Sequence, residues 1–303
     1  MMNMSKIKLI TTVIFTMVGM LAFGQQDAQY TQYLYNMNVV NPAYAGSKGV
    51  SSIGILGRTQ WVGLDGAPNT FTLSYHSPVG RAVGLGFSVI HDEIGPVKED
   101  NVFADFSYTL FTSEEGRLAF GLKAGFTFLD VEELRTLDPD PLNIPIHEVS
   151  PNFGVGTYYY TSNFYVGMSI PNILETRHLE KEAGIVSSAS EKKHIFFTGG
   201  YVFDLTPTIK LKPSTMVKAT TGAPLSVDLS ANMLFNEQLE FGLSYRIDDA
   251  ISGMVGFQVS DDFRIGYAYD FTTSRFGDYN QGTHEIMLLF DFYRKNLKSP
   301  RFF

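Results

Sequence analysis

The chain reads as all-β: an outer-membrane transmembrane β-barrel of about fourteen antiparallel strands, with a short N-terminal plug or periplasmic segment. Three observations predict it. Apolar and polar residues alternate in short runs from about residue 50 to residue 292. An export leader precedes them. The connections between runs alternate between short and long, as the two rims of such a barrel require.

The leader comes first. Residues 1–24 carry Lys6 and Lys8, an apolar run from Leu9 to Phe23, and Ala22-Phe23-Gly24 with small residues three and one before Gln25. This is the pattern of a secretory signal peptide cleaved after Gly24. Losing Lys6 and Lys8 with it lowers the formal charge of −8 by two. So acidic an exported chain is a poor partner for nucleic acid. The chain has no cysteine, which excludes disulfides, thiolate chemistry and a lipid-modified cysteine anchor. With 25 Phe, 16 Tyr and 28 Gly, but no apolar 20-mer after the leader, a barrel fits better than a helical membrane protein.

Residues 25–49 show no sustained alternation, and Asn41-Pro42 closes the stretch. They read as a short helix or irregular segment that plugs the lumen or docks on the periplasmic rim.

Residues 50–292 form the barrel. In 239–248, Leu239, Phe241, Leu243, Tyr245 and Ile247 share one face while Glu240, Gly242, Ser244, Arg246 and Asp248 share the other. A side-chain period of two is a strand. Residues 251–260 behave alike with Met254 as the exception, and so do 262–271, where Phe263, Ile265, Tyr267, Tyr269 and Phe271 oppose Arg264, Gly266 and Asp270. The same reading gives strands near 50–60, 69–77, 82–91, 100–111, 116–129, 151–161, 163–170, 193–204, 207–219, 225–235 and 283–292. Periodicity by itself allows a soluble sandwich as well; export and the loop pattern choose the barrel. Short turns fall near 77–81, 112–115, 161–162, 204–206, 236–237 and 261, and longer outer connections near 61–68, 92–100, 130–150, 171–192 and 272–282, with 220–224 and 249–250 modest or tight exceptions on the outer side. Tyr158, Tyr159, Tyr160, Tyr267 and Tyr269 near strand ends suit interfacial girdles as well as plain β-propensity. Residues 293–303 form a basic tail expected on the periplasmic side.

Chemistry is sparse. The six histidines have no metal-type spacing. His91-Asp92-Glu93 and Asp138-Pro139-Asp140-Pro141 read better as solvated loops than as cation sites. Ser74 and His76 share a strand face, but no nucleophile motif accompanies them. No catalytic residue, cofactor or metal is expected. Lys123, Asp105, Asp228, Arg246, Arg264 and Asp270 fall on lumen faces and are expected to pair with one another.

Two stretches stand out beyond their periodicity. One is Gln29-Tyr30-Thr31-Gln32-Tyr33 through Asn41-Pro42-Ala43-Tyr44-Ala45-Gly46-Ser47, and the other is Arg58-Thr59-Gln60-Trp61-Val62-Gly63-Leu64-Asp65-Gly66-Ala67-Pro68. With His76-Ser77-Pro78 and the terminal Ser299-Pro300-Arg301-Phe302-Phe303, they closely resemble the PorP/SprF family of outer-membrane proteins from the type IX secretion system of Bacteroidetes. The resemblance implies a non-enzymatic barrel that serves export and surface anchoring of an adhesin through the adhesin's C-terminal domain. It also implies association with a peptidoglycan-binding periplasmic protein and, in gliding species, motility.

Residues for those contacts can be nominated. Trp61, the single tryptophan, sits with Leu64 and Asp65 in the first outer loop, either as a binding anchor or as an anchor in the membrane interface. Leu134, Leu137, Ile144, Ile173 and Leu174 lie in the two longest outer loops, where an exported domain would be cradled. Arg294, Lys295 and Arg301 in the tail are candidates for the inner contact, or charged for solubility alone. Membrane lipids surround the wall. The alternative reading is a transport channel for hydrophobic small molecules, which requires an apolar pocket between plug and wall.

Overall fold

The computed structural model describes residues 30–132, 145–174, 177–182, 185–190, 193–220 and 223–292. The wall is built from β1 (Ser51–Thr59), β2 (Asn69–Val79), β3 (Val83–Ile94), β4 (Val97–Phe111), β5 (Arg117–Val131), β6 (Ile146–Tyr160) and β7 (Phe164–Ile170). A separate hairpin, β8 (Arg177–Glu182) and β9 (Ile185–Ser190), interrupts the order. The wall resumes with β10 (His194–Tyr201), β11 (Phe203–Thr206), β12 (Ile209–Thr220) and β13 (Ser226–Phe235). It ends with β14 (Leu239–Arg246), β15 (Ala250–Ser260), β16 (Phe263–Thr272) and β17 (Thr283–Phe292).

β10 and β11 are one wall strand broken at Val202, whose N–H turns to the Asn163 carbonyl at 2.7 Å. Both pair with β12, β10 also pairs with β7, and β1 pairs with β17. The result is a closed barrel of fourteen antiparallel strands.

Burial decides between membrane barrel and soluble sandwich. Along β14, Phe241, Leu243 and Tyr245 are 49%, 69% and 45% exposed, whereas Glu240 and Arg246 are 3% and 5% exposed. A soluble domain inverts that order. Here the greasy face needs lipid and the polar face lines the interior. Met254, the break in the alternation of β15, faces inward and sits over Gly242, where a side chain would collide with it. An arginine in place of Leu243, mid-strand on the lipid side, is expected to cost about 2–4 kcal/mol. Urea unfolding from lipid vesicles measures this, and an unchanged midpoint would show that the face does not meet lipid.

Three sequence expectations need correction. The stretch 92–100 is not a loop: β3 and β4 run through it and turn on Gly95-Pro96 alone, with Gly95 at φ +57°. Cross-strand polar pairs carry the strands outward, Glu93 opposite Lys98 and, next door, Asp130 opposite His147. β4, β5 and β6 reach 15 residues each, beyond the ~9–11 that a membrane needs, so they project past it. Lys98 bonds Glu132 at the tip and holds its carboxyl below the usual range. Secondly, the loops at 130–150 and 171–192 are partly strand, since β6 starts at Ile146 and β8–β9 occupy the second. Thirdly, Tyr158 and Tyr160 are not girdle residues. Their parity on β6 aims them inward, and they are 2% and 4% exposed.

Candidate functional site: a filled lumen between two rims

Residues 30–50 fold inside the barrel. A 3-10 turn (Tyr33–Tyr35), one α-turn, α1 (Met37–Val40), and a second 3-10 turn (Pro42–Tyr44) follow each other. Asn41 sets the last turn: its side-chain oxygen accepts from Ala43 N at 3.0 Å, and Pro42 needs no N–H partner at the first position. The Asn41 amide also donates to the Thr157 carbonyl at 3.0 Å, tying the plug to β6.

One side of the plug is apolar. Tyr33, Met37, Ala43 and Tyr44 pack against Ala119, Tyr158, Tyr165, Phe196 and Met216 of the wall. The Tyr44 and Tyr158 rings meet edge to face at 5.4 Å. Burial pushes the Tyr33 hydroxyl up to about 12, so it stays neutral. The wall makes room with glycine. A Cβ on Gly121 would come within 2.1 Å of Ala43 N, and one on Gly84 within 2.0 Å of the Ala45 carbonyl oxygen.

The other side is ionic. Thr31 N and Gln32 N donate to the two oxygens of Glu285 at 3.0 and 2.7 Å, and the Thr31 hydroxyl donates to Asp270 at 2.7 Å. Arg58 bridges both acids, at 2.9 Å to each, and reaches the Thr31 hydroxyl at 3.1 Å. Deeper along the plug, Tyr35 bonds Glu240, which also accepts from Arg264 at 3.0 Å and Asn232 at 2.7 Å. Asn38 donates to Asp105 at 3.0 Å, and Lys123 pairs with the same carboxylate at 3.0 Å. Lys48 meets Asp291 at 2.9 Å where the segment leaves the lumen. Arg246 pairs with Asp228 at 2.8 Å within the wall.

Of the expected lumen charges, Asp105 pairs with Lys123 and Asp228 with Arg246, as expected, whereas Asp270 pairs with Arg58 and Arg264 with Glu240; strand register explains several, since Asp105 lies opposite Lys123, Asp228 opposite Arg246, and Arg58 opposite Glu285. Sequence reasoning put Glu240 on the polar face of its strand but missed Glu285, Asp291 and Lys48. The available signal was charge at inward parity, as in Glu285 between Thr283 and Met287 on β17. The two distinctive sequence stretches meet here, since Arg58 of the second holds Thr31 of the first. Ser74 and His76 also face this interior, not lipid. The Ser74 hydroxyl donates to the Gly54 carbonyl, and His76 Nδ1 accepts from Gly46 N.

The long-loop rim carries Trp61, Leu64, Asp65, Ile173 and Leu174 of the nominated residues. Trp61 is half-buried, and its ring lies 4.7 Å from Phe276, edge on. Its backbone sits at φ +46°, a left-handed conformation that costs a bulky residue about 1–3 kcal/mol. The loop is stitched to 273–282 by Val62 N to the Gly282 carbonyl at 2.9 Å and Gln281 N to the Val62 carbonyl at 2.8 Å. Leu64 is half-buried and Asp65 exposed on the same loop. Ile173 and Leu174 follow β7 and are tied back to β6, with Ile173 N bonded to the Phe153 carbonyl at 2.7 Å and Leu174 N to the Asn152 side chain at 3.2 Å. Leu134, Leu137, Ile144, Arg294, Lys295 and Arg301, with the leader at 1–24 and Asp138–Pro141, lie outside the described residues.

Comparison with solved structures gives the same fold. The chain superposes on the CymD monoaromatic hydrocarbon channel with a TM-score of 0.53 at 12% identity, covering 86% of this chain and 94% of that one. The toluene transporter TbuX of Ralstonia pickettii gives 0.47 at 10% identity, with coverage of 84% and 92%. The KdgM porin gives 0.41 at 9% identity, with coverage of 80% and 99%. At 12% identity the CymD likeness shows the fold alone. No curated protein matches the sequence. Residues 22–290 match the family described as type IX secretion system membrane protein PorP/SprF. The match across residues 22–290 shows that this chain belongs to the PorP/SprF family, which with its lipid-facing barrel wall makes it an integral outer-membrane component of type IX secretion.

Proposed function

We propose that this barrel is a non-enzymatic scaffold that works through its rims. The long-loop rim holds the C-terminal domain of an exported adhesin at the surface, and the short-turn rim engages a peptidoglycan-binding periplasmic protein. Where the adhesin drives gliding, the same linkage carries the load. The observation behind this reading is the filled lumen: a segment bonded through Glu285, Asp270, Glu240 and Asp105 occupies the interior, which leaves the rims to do the work. On the outer side, Trp61, Leu64 and Asp65 sit on a loop held rigid by backbone bonds. Leu134, Leu137, Ile144, Ile173 and Leu174 supply apolar side chains from the stretches 130–150 and 171–192. Arg294, Lys295 and Arg301 remain the candidates for the inner contact.

A channel for hydrophobic small molecules needs an apolar passage, whereas ion pairs and close-packed tyrosines occupy the lumen. The test is a mild-detergent pull-down from the native outer membrane, comparing wild type with a chain lacking 134–146 and carrying Trp61→Ala. The expected result is at least a tenfold loss of adhesin from the altered barrel, with the periplasmic partner retained. Unchanged adhesin recovery from an assembled variant would refute the outer half of the proposal.

A further inference from the structure

At the short-turn rim, where residues 45–49 leave the lumen, the plug stops short of the wall. A recess of about 240 Å³ opens there, bounded by Ser47, Arg81, Ala82, Thr109, Arg117 and Tyr160. It admits one side chain but not a helix, which is ~10 Å across.

The charges around it differ from those in the lumen. Arg58, Arg246 and Arg264 each hold a carboxylate. Among the described residues, exposed Arg81 has no bonding partner. Arg117 donates only to carbonyls, those of Ser113, Glu114 and Gly116 at 3.4, 3.1 and 3.1 Å, and lies over the Phe111 ring at 4.7 Å. Glu115 in the same turn is engaged by the Ser162 hydroxyl at 2.8 Å. Two guanidinium groups therefore stand without a carboxylate partner in a chain of net charge −8. Ser47 of the plug forms part of the lining.

We infer that this recess is a carboxylate-binding site for an acidic side chain of a periplasmic polypeptide. Arg81 and Arg117 supply the charge-assisted bonds. A polypeptide fits better than a lipid headgroup because the recess lies between plug and wall, inside the ring of strands, whereas lipids contact the outer face. That the polypeptide is the scaffold's periplasmic partner rests on the proposed function; the binding of a carboxylate does not.

The experiment uses the full-length barrel in detergent and a fluorescent tetraglutamate peptide. Saturable binding that weakens with added salt is expected. Arg81→Glu should lower affinity tenfold or more, as should Ala82→Trp, which fills the recess, while Arg275→Glu at the opposite rim should change nothing. Gel mobility with and without heating confirms that each variant is assembled; if Arg81→Glu is not, Arg81→Gln replaces it. Peptide binding that is absent, or equal in all variants, overturns the site. Binding to isolated peptidoglycan sacculi that depends on Arg81, with none to the peptide, assigns the recess to peptidoglycan and overturns the polypeptide. If the peptide behaves as expected but wild type and Arg81→Glu bring down the same periplasmic proteins, the site stands and its assignment to the scaffold partner fails.

Discussion

Valine in place of Gly121 should unseat the plug and open the barrel. Its Cβ would fall 2.1 Å from Ala43 N and 2.4 Å from the Pro42 carbonyl carbon. These are backbone atoms, so no side-chain rotation relieves the clash. Either β5 bulges or residues 42–45 leave their seat. The wall is held by paired strands on both sides of β5, whereas the plug is held by packing and a limited number of polar bonds, so the plug should yield. A barrel of this strand number, once emptied, is wide enough for an aqueous path, since about eight strands already fill with side chains. In planar bilayers the wild type should be nearly silent and Gly121→Val should conduct, with residues 30–45 newly open to added protease. Gly253→Val is the control, because nothing lies within 4 Å of a Cβ there. If Gly121→Val is as silent and as protease-resistant as Gly253→Val, the plug is not seated as described.

The second large effect is expected at Arg58. Replacing it with methionine leaves Asp270 and Glu285 facing each other in a buried site without their shared cation, where side-chain exposures are 4% and 1%. Removing one partner of a buried ionic group costs about 3–5 kcal/mol, because the remaining charge stays desolvated. The Arg58→Met barrel should therefore unfold at markedly lower urea, and the loss should extend to the plug, whose Thr31 and Gln32 N–H groups hang on Glu285. Adding Asp270→Asn and Glu285→Gln removes the orphaned charges and should restore most of the midpoint. A single variant as stable as wild type would mean that water or another cation already serves these acids.

These two sites show how far the sequence could be read. The wall was legible because its physics is local: period-two alternation fixes which residues of β14, β15 and β16 share a face, and Gly and Asn-rich breaks mark the turns. Strand ends were less so. Between residues 92 and 100 a run of charges looks like loop, yet Glu93 and Lys98 lie directly opposite across the ladder, and only pairing makes them strand. Inward tyrosines failed for a related reason. Tyr158 and Tyr160 carry the polar tip and apolar body of a girdle residue, and their direction depends on what fills the lumen beside them, here Tyr44 and Tyr165. Trp61 was visible as a lone tryptophan, but its partner Phe276 lies 215 positions away in sequence and no spacing rule joins them.

By itself the sequence determined the leader pattern, the number and phase of the strands, and a membrane wall, because each follows from neighbours a few residues apart. It also displayed Tyr30-Thr31-Gln32-Tyr33 and Arg58 as distinctive without saying what they do. Tertiary structure decided that. Only closure of the ring sets Arg58 opposite Glu285, with Asp270 on the adjacent strand, and only a chain folded back into that ring presents Thr31 and Gln32 to both. Buried charges need partners, and these partners lie more than two hundred residues apart along the chain.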